Sequence, residues 1–301
     1  MHAEHAQYLS EDYNSTLSLA VCVSMIIGNT HLLPITSIEP EQIWVRHPQI
    51  GEIPLPYDDA PGSHAGQELN VFIYTDSHAN PVGTTAQPLA KLGECASLKV
   101  TSVTDAGAFL HWGIAKELLL PFAEQRRPLE VGSKESILVY LDNTGRLAAT
   151  SRLDHHLPDT DDNFSAWQQV SLLVYQRTDL GFKAVVDDRA IGLLYKDEIF
   201  QPIKVGQQVT GFVKRLRQDH KLDLALQPPA EDVKATLSDI ILEYMANHNG
   251  ECLLTDKSEP QAIYNTFQVS KKNYKRALSS LYKQRLIVIE PNRIVLNKDE
   301  T

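Results

Sequence analysis

The chain has 301 residues, 43% of them hydrophobic and 22% charged, and its 38 acidic against 28 basic side chains give a formal net charge of −10. That length fits about two average domains or three to four small ones, and the charge excludes attraction of nucleic acid by the surface as a whole, so any such binding must come from local basic faces. No segment approaches the roughly 20-residue apolar run of a membrane helix, and the polar, acidic start MHAEHAQYLSEDYN has neither the basic nor the apolar region of a signal peptide, which predicts a cytoplasmic protein without membrane attachment.

Short alternating strands come first, and three segments share one layout: LPYDDAPGSHAGQELNVFIYTDSHANPVGTT (55–85), LPFAEQRRPLEVGSKESILVYLDNTGRLAATS (120–151) and LYKDEIFQPIKVGQQVTGFVKRLRQDHKLDLALQ (194–227). Each has an apolar lead, a polar stretch, a glycine (Gly66, Gly132, Gly206), a period-2 strand, a turn and a second strand. Gly66 to Asp76 and Gly132 to Asp142 are equal spacings; the third copy carries one extra residue at the turn, which puts Lys221 where Arg146 sits. Further strands stand upstream. Residues 17–53 hold a weaker set, LSLAVCVSMIIG and IWVRHP; residues 96–113 turn at Ala106-Gly107; residues 170–195 turn at Leu180-Gly181. Each unit reads as about five strands in roughly 65–75 residues, the size of a small oligonucleotide/oligosaccharide-binding (OB) barrel. The barrels span residues 16–85, 90–152 and 165–228, joined by polar linkers near 84–94 and 151–167. The glycine before each fourth strand reads as a corner where a side chain would crowd the barrel. Three unrelated β-sandwiches would fit the shared spacing less well.

After Gln227-Pro228-Pro229 the period becomes helical, which marks a last domain at 229–297. EDVKATLSDIILEYMANHNG puts Val233, Leu237, Ile240, Ile241 and Tyr244 on one helix face, with Glu231 and Asp232 at its start and Gly250 at its end. A short helix follows near PQAIYNTF, then a third at 269–285 with Ser270 as N-cap and Tyr274, Ala277, Leu278 and Leu281 as its buried stripe. LIVIE-PN-RIVL closes the chain as a hairpin with Pro291-Asn292 at its tip. The fold class is therefore mostly β with an α+β C-terminal domain: three tandem OB-fold (S1-like) barrels followed by a winged helix-turn-helix.

A barrel of this type binds single strands by stacking bases on aromatic rings and neutralising phosphates. Candidates in the second barrel are Phe109, Trp112 and Phe122 with Lys116, Asp142 and Arg146. In the third they are Phe182 and Tyr195 with Lys214, Arg215, Arg217 and Lys221, in a segment, 203–221, that has five basic residues against one acid. Alternation in AFLHW puts Phe109 and His111 on one face and Leu110 and Trp112 on the other; one pair is buried, and the pattern does not say which. The third helix of the last domain, which would read nucleic acid in a helix-turn-helix, carries Lys271, Lys272, Lys275, Arg276, Lys283 and Arg285 with no acid from 270 to 285. A solvated helix face is the plainer account of such a run.

The run VTDAGAFLHWG, KELLLP, VG and VYLDNTGRLAATS resembles the S1 RNA-binding domain, with its Gly-Ala-Phe strand and its Asp-x-x-Gly-Arg turn. The resemblance implies that Phe109 stacks on a base and that Asp142 and Arg146 form a backbone-contacting hairpin pair. Two positions depart from it: Ala106 replaces an aromatic, and Pro121 a histidine, with Tyr195 and Pro56 at that place in the other barrels. GFKAVVDDRAIGLLYKDEIFQPIKVGQQVTGFVKRLRQDHKLDLALQP followed by SKKNYKRALSSLYKQRLIVI is similar to the conserved virulence factor B family, from about residue 16 onward. That likeness implies a bacterial RNA-binding regulator of gene expression, with contacts from barrels and winged helix.

Cys22, Cys95 and Cys252 form no ligand-spaced pair, so neither a disulfide framework nor a zinc site is expected. Asp154-His155-His156 matches one metallophosphoesterase motif, but no partner motif accompanies it, and His2 and His5 fall in a terminus. There is no P-loop, no dinucleotide fingerprint and no nucleophile elbow. The sequence thus predicts a non-enzyme without cofactor or metal, with single-stranded RNA as partner. The alternatives are a duplex-DNA regulator acting through the winged helix and a protein-interaction scaffold. Oligomeric state is left open.

Overall fold

The computed structural model describes residues 26–297 apart from Asp162, Phe200, Gln201, Pro229 and Gln268. Residues 16–25, most of the expected LSLAVCVSMIIG strand, lie outside the described residues, as do His2 and His5. The chain divides between His156 and Leu157 into two compact units.

The first unit holds two five-stranded sheets. One comprises β1 (Thr30–Ile38), β2 (Gln42–His47), β3 (Gly51–Pro56), β4 (Glu68–Thr75) and β5 (Pro81–Thr84), in the order β3-β2-β1-β4-β5. The other comprises β6 (Cys95–Thr104), β7 (Gly107–Leu110), β8 (Leu118–Pro121), β9 (Lys134–Leu141) and β10 (Leu147–Thr150), with the same connectivity. In the second unit β11 (Gln169–Arg177), β12 (Gly181–Val186), β13 (Ala190–Tyr195), β14 (Gln208–Leu216) and β15 (Leu222–Ala225) form a closed barrel, β11-β12-β13-β15-β14. This is the OB strand order three times over. The leading strand of the first barrel is THLLPITSI, which the alternation did not single out: only Leu33 and Ile35 point inward along it, too short a signal to read.

One device recurs in all three leading strands. A β-bulge follows Ile35, Val100 and Val174. The carbonyl exposed there accepts the N–H of Gly66 (2.9 Å), Gly132 (2.8 Å) and Gly206 (2.7 Å). Bulges bend a strand and increase its twist, which lets a long first strand serve both halves of a barrel. The three glycines have φ of +84°, +86° and +86°, and a Cβ on any of them would meet open space. Positive φ, rather than the crowding expected from the sequence, is what selects glycine.

Closure separates the third barrel from the other two. β13 pairs in parallel with β15 through Gly192–Leu222, Leu193–Asp223 and Leu194–Leu224. Each third strand runs into a 3₁₀ turn at Pro56, Pro121 or Tyr195, so those residues are equivalent. Pro54 and Pro56 therefore stand where the closed barrel has Leu193 and Tyr195. Proline is tolerated in a ladder where its missing N–H faces the edge. These prolines remove donors from the edge of β3 that would otherwise meet β5.

The linkers are not free. Ala90 is buried, and Leu92 packs against Gly28. Residues Leu153–His156 form a helical turn, α1, with Leu153 fully buried; Leu157 and Phe164 are buried too. In the last domain α2 (Ala230–Asn247), α3 (Pro260–Phe267) and α4 (Lys271–Lys283) surround a core completed by β16 (Glu251–Cys252), β17 (Ile287–Ile289) and β18 (Ile294–Leu296). Ser270 caps α4 by accepting the Asn273 N–H at 3.2 Å. Tyr274, Ala277, Leu278 and Leu281 are all buried. The Tyr274 hydroxyl donates to the Leu254 carbonyl at 2.8 Å, and burial pushes its pKa well above the phenol value. On α2 the buried stripe is Leu237, Ile241 and Met245, spaced i, i+4, i+8, while Ile240 is exposed. The side chain of Val233 lies outside the described residues.

Candidate nucleic-acid interface

The structure decides the face of AFLHW. Leu110 and Trp112 are sealed inside, Trp112 at 1% exposure, while Phe109 is half-buried and His111 exposed. Trp112 is therefore not a stacking platform. Its indole N–H donates to the Ala90 carbonyl at 2.7 Å, and its ring meets Phe72 of the first barrel edge-on at 5.5 Å. It is part of the core that fuses the first two barrels. Lys116 is likewise committed to that junction: its amine donates to the Thr75 carbonyl and lies 5.9 Å from the centre of the Tyr74 ring. Burial lowers its pKa, with Asp76 acting the other way and Arg146 adding to the drop. Phe122, in the turn after β8, is 52% exposed.

The five-residue turns 76–80, 142–146 and 217–221 are built alike. The first residue's N–H donates to the fifth residue's carbonyl: Asp76 to Asn80 (2.9 Å), Asp142 to Arg146 (2.8 Å) and Arg217 to Lys221 (2.9 Å). Arg146 and Lys221 thus occupy one position, as the spacing implied. The third copy's extra residue is not in the turn, however. It sits in β14 as a bulge between Val213 and Arg215, which turns both Lys214 and Arg215 away from the core. The Asp142 carboxylate accepts from the Thr144 N–H (2.8 Å), the Thr144 hydroxyl (2.6 Å) and the Arg146 N–H (3.0 Å), and ion-pairs with Arg146 at 3.2 Å. Partial burial pushes its pKa up, but these bonds outweigh that and hold it below the usual carboxylate range. A carboxylate this fully engaged organises the turn, leaving Arg146 as the exposed member that can meet a phosphate.

The third barrel changes the expected picture most. Gly107 faces Pro121 across β7–β8 and Gly181 faces Tyr195 across β12–β13, with backbone too close for a Cβ at either glycine. This register aligns Phe182 with buried Ala108 and gives the place of Phe109 to Lys183. Phe182 packs against the barrel core, so it is a packing residue rather than an outward ring. The cations are paired as well. Lys214 meets Glu198, Arg215 meets Asp223 (2.7 Å), Arg217 meets Asp219 (3.3 Å) and Lys221 meets Asp159 (2.9 Å). Asp223, only 2% exposed, also accepts from the Tyr195 hydroxyl at 3.3 Å. Three of the four carboxylates lie outside the segment whose charge was counted, so most of the excess of basic residues is balanced on folding.

On α4 the basic residues do emerge. Lys272, Lys275, Arg276 and Lys283 are exposed on the side away from the buried stripe, as is Arg285 just beyond the helix. Lys275 stands 3.8 Å from Asp256, and the Lys271 amine donates to the Lys257 carbonyl at 3.2 Å. Among the described residues no carboxylate lies within ion-pair distance of Lys272, Arg276 or Lys283. Tyr282, 57% exposed, joins this face. It and Lys183 escaped the sequence reading; the one clue to Tyr282 was an aromatic off the apolar stripe.

His156 of α1 lies 3.3 Å from Glu124 and against the Tyr140 ring. Among the described residues no group of three or more His, Cys, Asp or Glu side chains comes together, and no helix is long and apolar enough to cross a membrane.

The S1 domain model matches residues 27–86 and 92–152, and the CvfB-like winged helix domain matches residues 239–296. In domain content the chain is similar to the conserved virulence factor B family. The conserved virulence factor B of Staphylococcus aureus is 23% identical over 285 residues, 91% of this chain and 95% of that protein. An uncharacterized protein, YitL of Bacillus subtilis, is 29% identical over 225 residues, 72% of this chain and 75% of that one. A solved multidomain protein with nucleic acid binding domains from Streptococcus pneumoniae is 22% identical, covering 90% of this chain and 99% of that one with a TM-score of 0.41. This chain thus combines S1 and winged-helix domains, both of them nucleic-acid-binding modules.

Proposed function

We propose that this relative of the virulence factor B family is a non-enzymatic, cytoplasmic RNA-binding protein that regulates bacterial gene expression, with no cofactor. The observation that carries the reading is the face of α4: Lys272, Lys275, Arg276 and Lys283 are exposed with a single carboxylate near them, in a chain of net charge −10. Among the described residues Lys272, Arg276 and Lys283 of this face have no carboxylate partner, which suits them to phosphate. The outward rings of Phe109 and Phe122 favour single strands, whose bases are free to stack. Each site is weak by itself, and tethering several in one chain raises the overall affinity. A second reading, duplex DNA, is supported by the position of α4 as third helix of a winged helix.

The test is fluorescence anisotropy of the full chain with a labelled single-stranded 20-mer RNA over a salt series, with duplex DNA as competitor. The reading expects log affinity to fall linearly with log salt and duplex DNA to compete poorly. Stronger competition by duplex DNA would favour the second reading, and no salt-dependent affinity for either would favour a protein-interaction scaffold.

A further inference from the structure

The segment between the second and third barrels reads in sequence as a polar linker, yet its latter half is laid onto the third barrel. The Ile191 N–H on β13 donates to the Pro158 carbonyl at 2.8 Å. Thr160 forms an antiparallel bridge with Lys221, next to β15. Between these two anchors the Asp159 carboxylate lies 2.9 Å from the Lys221 amine. Asp161 follows, 4.0 Å from Arg189. Residues 158–161 thus form a strap along β13 and the start of β15. A groove of about 420 Å³ opens beside it, lined among others by Asp159, Lys183, Leu193, Arg217, Lys221 and Asp223.

Lys221 is the turn cation that matches Arg146, so the strap places a carboxylate oxygen on the cation that would otherwise meet a phosphate. Both partners are about half exposed, 48% and 59%. An exposed pair of this kind is weak and screened by salt, which suits a contact that must be given up.

We propose that this face of the third barrel is a polyanion site whose resting occupant is the chain's own acidic segment 158–161. The strap and the phosphates of a single strand compete for Lys221 and its neighbours. That the polyanion is RNA rests on the reading above; the competition does not.

The experiment uses the full chain with a labelled 20-mer oligouridylate and, separately, inorganic polyphosphate. Asp159→Asn is expected to tighten binding of both about two- to fivefold at low salt. Asp159→Lys should tighten it about tenfold and steepen the salt dependence by about one counterion. Asp58→Lys, at an exposed carboxylate of the first barrel, controls for net charge and should do less. In a Lys221→Ala background Asp159→Asn should change nothing. Hydrogen exchange at the Ile191 amide should speed up when either polyanion is added. If polyphosphate frees that amide and oligouridylate does not bind, the strap stands and the RNA reading falls. Wild-type affinity in Asp159→Asn, or an Ile191 amide indifferent to both probes, would overturn the proposal.

Discussion

The second and third barrels share strand order, bulge, glycine and turn, yet they spend the same positions differently. The second presents a ring, Phe109, and a turn whose arginine is held by its own aspartate. The third has Lys183 in the ring's place and brings carboxylates from three other segments onto its cations. One register can therefore present a ring or a cation at the same place, and partners supplied from elsewhere in the fold decide how far the cations are balanced. The comparison also shows why four basic residues in one segment are poor evidence of a basic surface.

Breaking the core under the stacking face should have the largest effect. Trp112→Ala removes a sealed side chain that touches both of the first two barrels and should destabilise them by about 3–5 kcal/mol, read as a lower denaturant midpoint. Phe109→Ala should leave that midpoint nearly unchanged but weaken single-strand binding by about 1–3 kcal/mol, with the salt slope intact. The contrast with Phe182→Ala sharpens the comparison, since a ring packed on the core should lower stability and spare the chemical part of binding. Lys272→Ala and Arg276→Ala should weaken binding about equally for all sequences and reduce the salt slope by about one each. The smallest effect belongs to the turn. Because the folded pKa of Asp142 is depressed, its contribution is present above the unfolded carboxylate value and is lost as pH falls through the folded one. The protection of the Arg146 amide, judged against the unstructured exchange rate at the same pH, should accordingly fall on acidification in the wild type and be low already at neutral pH in Asp142→Ala.

Much of this architecture could be read from the chain because the repeat is written in spacing. Gly132 to Asp142 fixes a strand length and a turn, and the spacing alone aligns Lys221 with Arg146. Period 2 gave the parity of Phe109 and Trp112 but not the direction, since direction depends on which side the rest of the barrel covers. GAF and GF both put an aromatic after glycine, and only the pairing of Gly107 with Pro121 and Gly181 with Tyr195 shows that Phe182 aligns with Ala108 rather than with Phe109. The strap was hidden because a bridge between Thr160 and Lys221 joins residues with no local signal. Ile240 fits the apolar face of α2 by angle yet is exposed, while Met245, one turn beyond Ile241, is buried.

The central claim is that local cations and rings outweigh an overall negative surface. Its most direct test is the salt dependence of full-chain binding to a single-stranded RNA 20-mer, compared with the Lys272→Ala/Arg276→Ala double variant. The account predicts a linear log–log dependence whose slope falls by about two in the variant. Identical slopes, or no binding at low salt, would contradict it.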